Sequence, residues 1–261
     1  MMTNQTIEQL LALRLPAMAD EYRRQREMPA MDSLDFDTRL GMISDAEWVA
    51  RNNQRSKRLI KEAGLSDSNA LIGDLDYQPA RKLNKAQVAR LSDFAWSRDA
   101  KNIIITGATG TGKSYLACAF GAEACRLGIR VKYHRTSLLL AELCASYSDN
   151  RLNDILRRLN KADILILDDW GLSSINALQA RALLEVFENR IGAKSCVIAA
   201  QPPVSKWFEL FEDATIADAI MDRLVYSSYR FELHGPSMRR RYGLRTEDVF
   251  EESDGGGTAL M

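Results

Sequence analysis

Apolar positions along this chain change their period once. Up to about Leu65 they recur every three or four residues inside runs dense in charge, the spacing of amphipathic helices. Pro16 and Pro29 interrupt the pattern, Thr6-x-x-Gln9 and Ser44-x-x-Glu47 fit capping boxes, and Gly64 closes a helix expected from about Asp45 to Ala63. From Ser66 to Arg81 the periodicity lapses around Gly73, Asp74, Asp76 and Pro79, as at a domain boundary. Beyond it, Asn84-x-x-Gln87 should cap a helix running to about Arg98. Short apolar runs then alternate with helical stretches. Strands are expected near 102–106, 129–134, 163–168, 195–200 and 226–233, with a helical stretch broken near Ser148. Another helix, near 176–191, should place Leu183, Leu184, Phe187 and Ile191 on one face. Such alternation implies a parallel sheet covered on both sides. The expected organisation is a helical domain at 1–68, an α/β domain at 69–250 and a flexible tail at 251–261, where Glu251 to Gly257 is too polar to order itself.

Charge refines this picture at one place. Lys plus Arg equals Asp plus Glu at 35 each, so any nucleic-acid contact must come from a local patch. One flank of the 45–63 helix supplies a candidate: Arg51, Arg55 and Arg58 at helical spacing, beside Lys57 and Lys61. Cys118, Cys125, Cys144 and Cys196 form no C-x-x-C pair and read as reduced and mostly buried, and His134 and His234 lack ligand-like neighbours. With no signal-peptide h-region and no apolar run of spanning length, a cytoplasmic location is expected.

The chemistry sits where strands give way to helices. Gly107-Ala108-Thr109-Gly110-Thr111-Gly112-Lys113-Ser114 fits G-x-x-x-x-G-K-[ST] directly after the first strand. Glycines let the chain wrap with its amides inward, and a helix starting at Lys113 adds its positive end, so the loop is built for a phosphate chain. Lys113 would reach the β- and γ-phosphates of ATP, and the Ser114 hydroxyl would ligate Mg²⁺. A second apolar strand, Asp163 to Leu167, delivers Asp168 and Asp169 at its C-terminal end, where open α/β sheets bind ligands. Asp168 would hold the metal and Asp169 would orient or deprotonate the attacking water. Gln201, ahead of Pro202 and Pro203, is a candidate γ-phosphate sensor, and a turn residue on the alternative reading. Arg223 lies on the helix Asp218 to Leu224, either as a finger reaching a neighbouring subunit's nucleotide or as a solvated helix arginine.

Taken together, GATGTGKSYLA, DILILDDWG, QPPVSKW and the MDRL helix resemble the IstB/DnaC group of AAA+ ATPases. QPPVSKW and FDTRLGMISDAEWVARNNQR with its run into RLIKEAGL look more like the IstB side of that group, the ATP-binding helpers of insertion sequences. The resemblance implies an AAA+ P-loop core with a five-stranded parallel sheet, its sensor strand between the Walker A and Walker B strands, behind a small all-helical domain. It maps Lys113, Ser114, Asp168, Asp169, Gln201 and Arg223 onto the family's nucleotide roles. It further implies ATP-dependent assembly of a homo-oligomer on DNA and recruitment of a transposase. DNA contacts are then expected from Arg51, Arg55, Arg58, Lys132 and Arg135, with Arg157 and Arg158 beside them. Two departures stand out. Asp169 replaces the usual glutamate and is one methylene shorter, which implies slow, switch-like hydrolysis. Too few residues follow Arg223 for the usual helical lid, and Arg239, Arg240 and Arg241 form the only basic cluster there.

The alternatives carry different chemistry. A helicase loader of the DnaC type would share the core but bind a replicative helicase. A small-molecule kinase would need an acceptor-binding lid, for which no segment stands out. A scaffold gated by nucleotide would bind ATP and DNA without meaningful hydrolysis.

Overall fold

The computed structural model describes residues 2–238, so the tail at 251–261 and Arg239, Arg240 and Arg241 lie outside the described residues. The chain forms two compact units, Met1–Leu59 and Ile60–Met261.

The first unit is helical. It holds α1 (Met2–Ala12), α2 (Pro16–Glu27), a 3-10 turn at Pro29–Ser33 and most of α3 (Phe36–Ala63). Pro16 and Pro29 each start an element, where a missing N–H costs nothing. Glu47 of α3 accepts from the amides of Ala17 and Met18 at 3.0 and 3.3 Å and so caps α2 from outside. Neither expected capping box forms. Thr6 is interior to α1, which already runs from Met2, and Ser44 is interior to α3. The cap of α3 is Asp35, whose carboxylate accepts from the Thr38 amide at 2.8 Å and the Thr38 hydroxyl at 2.9 Å. A helix that already has a cap has no reason to restart at Ser44. Gly41 does not interrupt it either, since its position is open to space.

The second unit opens with the last turn of α3, ended by Gly64 at φ +66°. The Ser66–Arg81 stretch is loop-like as expected, with 3-10 turns at Ile72–Asp74 and Pro79–Arg81. Asn84 caps α4 (Lys85–Leu91) by accepting from the Gln87 amide at 3.1 Å. The helix does not continue to Arg98. Phe94 takes a left-handed φ of +57° before the short α5 (Ala95–Arg98), because burial of Phe94 against Trp96 and Phe120 outweighs helix continuity.

Five parallel strands follow: β1 (Asn102–Gly107), β2 (Val131–Arg135), β3 (Ile164–Trp170), β4 (Ser195–Ala200) and β5 (Ser228–Leu233), in the order 2-3-4-1-5. Between them run α6 (Lys113–Arg126), α7 (Thr136–Ser148), α8 (Leu152–Asn160), α9 (Ala177–Glu188) and α10 (Ala214–Val225). The side chains of β3 alternate between two cores. Leu165, Leu167 and Trp170 join α7 to α10, while Ile166 faces α6. Both faces are thus covered, and β1, β3 and β4 are buried almost throughout. Ile191 departs from the expected apolar face of α9: it lies past the helix end and is exposed. Among the described residues no helix is long and apolar enough to cross a membrane.

Candidate nucleotide site

Parallel order puts every strand's C-terminal end on one edge of the sheet, and the cavity opens there. β1 releases the chain into the loop Gly107–Gly112, and α6 begins at Lys113. Gly107 sits at φ +148°, and a Cβ on it would stand 2.3 Å from the carbonyl oxygen of Leu233, so the loop can leave the sheet here only through glycine. Thr111 is fully buried and ties the loop across itself, its hydroxyl donating to Ala108 O at 2.8 Å. Lys113 Nζ donates to the same oxygen at 2.9 Å.

The carboxylate of Asp168 is the best-held group in the site. Its Oδ1 accepts from the Ser114 hydroxyl at 3.0 Å and the Asp169 amide at 2.9 Å, and its Oδ2 accepts from the Tyr133 phenol at 2.8 Å. The Thr136 hydroxyl holds the Asp168 carbonyl at 2.8 Å. Burial, with the neighbouring carboxylate, pushes the Tyr133 phenol up to about 12, so it remains a donor across the accessible pH range. Asp169 follows at φ +58° with its carboxylate partly exposed, 4.0 Å from Arg135 at the end of β2.

The cavity measures about 760 Å³, within the range of ligand pockets. It is lined by the loop from Thr109 to Ser114, by Arg135, Asp169 and Gln201, by the acidic Asp67, Asp74 and Asp76, and by the apolar Leu75, Leu83, Leu116 and Leu233. Among the candidates named from sequence, the structure therefore brings together the loop, Asp168, Asp169, Gln201 and Arg135. Arg223 is elsewhere: on α10 it pairs with Glu188 at 3.1 Å and donates to Ala219 O, and Asn102 at the start of β1 holds its carbonyl at 3.0 Å. Lys132 donates to Glu62 O at 3.1 Å, Arg157 pairs with Asp154 and Arg158 with Glu142. In the helical unit Arg51 is exposed but pairs with Glu47 at 2.8 Å and donates to Arg14 O at 2.9 Å, and Arg55 and Arg58 are exposed on the same helix.

Sequence reasoning missed Tyr133, Thr136 and Arg81. A tyrosine on an apolar strand carries no signal that its hydroxyl reaches the next strand, although the parallel pairing of β2 with β3 puts it there. Arg81 lay inside what read as a linker. No run of charge marks it, yet it is buried and its guanidinium donates to Thr111 O.

With β4 inserted between β1 and β3, and the phosphate loop leaving β1, the chain has the P-loop fold of the AAA+ type. A family model for IstB-like ATP binding protein matches residues 8–246, and the chain belongs to that family. It is 41% identical over 205 residues to an ATP-binding protein of insertion sequence IS1162 from Pseudomonas fluorescens, covering 78% of this chain and 89% of that one. It is 36% identical over 240 residues to an insertion sequence ATP-binding protein, y4pL, from Sinorhizobium fredii, covering 92% and 98%. A solved DnaC helicase loader superposes with a TM-score of 0.53 at 18% identity, over 63% of this chain and 97% of its own, a likeness of fold.

Proposed function

We propose that this protein binds ATP with Mg²⁺ in the cavity at the strand ends, hydrolyses it slowly, and in the ATP-bound form assembles on DNA to bring in its element's transposase. The observation that carries the nucleotide chemistry is the meeting of Ser114 Oγ and Asp168 Oδ1, 3.0 Å apart, at the N-terminus of α6. Two hard oxygen donors beside a phosphate loop suit a hard divalent cation such as Mg²⁺. Bound there, Mg²⁺ would neutralise charge on the phosphate chain. Lys113 would leave Ala108 O for the β- and γ-phosphates, Asp169 would hold the attacking water, and Gln201 would report the γ-phosphate. Membership of the insertion-sequence family supports transposase as partner rather than a replicative helicase. The exposed arginines of α3 are the proposed DNA contacts, with Arg135 added at the cavity rim.

Sedimentation of the full chain with a DNA duplex, with and without ATP and Mg²⁺, tests this reading. Larger DNA-bound species are expected only with nucleotide, and Lys113→Ala should lose them. Identical profiles in every condition would defeat it. Capture of helicase but not transposase by the ATP-bound protein would instead assign it as a loader.

A further inference from the structure

Arg81 is 6% exposed, and its guanidinium donates to Thr111 O inside the phosphate loop. A Cβ on Gly112, the residue before Lys113, would stand 3.2 Å from Arg81 Nη2, so this cation lies against the loop itself. Among the described residues no carboxylate pairs with it. A buried guanidinium without an anion is costly, and one carbonyl cannot replace the water it has lost. Its backbone is fixed from both sides. Arg81 N donates to Gln78 O at 2.9 Å, and the His234 amide, just beyond β5, donates to Arg81 O at 3.1 Å. The side chain also lines the nucleotide cavity.

From this we infer that Arg81 is a nucleotide-binding residue, a second cation that meets the diphosphate of the bound nucleotide across the loop from Lys113. The inference rests on the cavity being the ATP site. The loop amides around Thr111 and Gly112 face the α- and β-phosphates, so Arg81 acts on ADP as much as on ATP. Its fixed fork holds two things at once, the loop through Thr111 O and the phosphate chain through its remaining N–H groups. The turn in front of the sheet, Pro79–Arg81, thus adds a positive charge at the phosphates.

The test is calorimetric titration with Mg²⁺ and ADP of the wild type, Arg81→Gln and Arg81→Lys, with the melting temperature of each nucleotide-free protein as a folding check. Glutamine keeps an N–H donor but carries no charge. Arg81→Gln should weaken ADP binding about ten- to a hundredfold, as for a lost charge-assisted bond. Arg81→Lys should retain a clear part of the affinity. Wild-type affinity in Arg81→Gln, or equal losses in both variants, would overturn the inference. Should Arg81→Gln not fold, the wild-type guanidinium resonance of Arg81 decides: it should shift on adding ADP and not adenosine, and an unmoved signal would reject the role. A wild type that binds no ADP would instead sink the assignment of the cavity.

Discussion

At the scale of single residues, the site is organised around fixing one carboxylate. Both oxygens of Asp168 are engaged, by Ser114, by the Asp169 amide and by Tyr133, and the residue is 3% exposed. As the proposed metal ligand, Asp168 would have little freedom to lose when the ion arrives. Tyr133→Phe removes one holding bond while keeping the ring, so the half-saturating Mg²⁺ concentration for nucleotide-dependent thermal stabilisation should rise about tenfold. An unchanged Mg²⁺ requirement would show that Ser114 and the amide suffice. Asp169 is held much more loosely, with Arg135 at 4.0 Å as its ionic partner. Asp169→Asn should therefore leave ADP affinity near wild type while reducing hydrolysis about a hundredfold or more, measured as phosphate release under saturating ATP. A parallel loss of binding would place Asp169 in nucleotide capture. The sequence shows the missing methylene at this position. It does not show that the residue sits at φ +58°, a region that aspartate tolerates better than most residues.

At the scale of elements, what was legible depended on how local the signal is. The phosphate loop, the two acidic positions near the end of β3 and the alternation of strands with helices are contiguous patterns, and each lies where its residues indicate. Caps were less legible, because a capping motif has meaning only where a helix is free to begin: Asp35 takes that place in α3 and leaves Ser44 interior. Side chains that join distant segments have no local signature. Asn102 is the clearest case, donating to the carbonyls of Arg223 and Leu224 at 3.0 and 3.2 Å and accepting from the Cys196 amide at 2.8 Å. It fastens β1 to the end of α10 and to β4. Asn102→Leu would leave these buried groups unpaired and should cost about 2–4 kcal/mol in urea unfolding of the full chain. A cost below about 1 kcal/mol would mean that the backbone finds other partners.

A second tie between elements brings pH into the picture. Burial alone would raise the Asp163 carboxyl, but Arg130 and Lys194 outweigh it and pull it down to about 2. Because the folded-state value is depressed, its contribution is fully present above the unfolded value near 4 and is lost as pH falls toward 2. The wild type should therefore lose melting temperature across that window more steeply than Asp163→Asn. Parallel curves would show that other carboxylates dominate acid unfolding.

For the whole molecule, the position of Arg223 decides how the site can be completed. Its backbone is fastened to Asn102, at the opposite end of β1 from the phosphate loop. Six strand residues separate the two ends, about 17–20 Å. No rotamer of an arginine spans that distance, so Arg223 cannot serve the loop of its own chain. In the single chain it is folded onto Glu188 and Ala219 O. If it acts on phosphate at all, it acts on a neighbour, through a head-to-tail contact in which each subunit gives an arginine and receives one. Mixing variants separates giving from receiving. Asp169→Asn has an inactive site but an intact Arg223, and Arg223→Ala has an intact site but nothing to give. Each alone should hydrolyse ATP poorly on DNA. In an equal mixture that exchanges subunits, about a quarter of the contacts join an intact arginine to an intact site, and about that fraction of wild-type phosphate release should return. Recovery must vanish on dilution, when assemblies dissociate. A mixture no more active than the mean of its parts, with assembly on DNA confirmed by sedimentation, would return Arg223 to a helix arginine paired with Glu188.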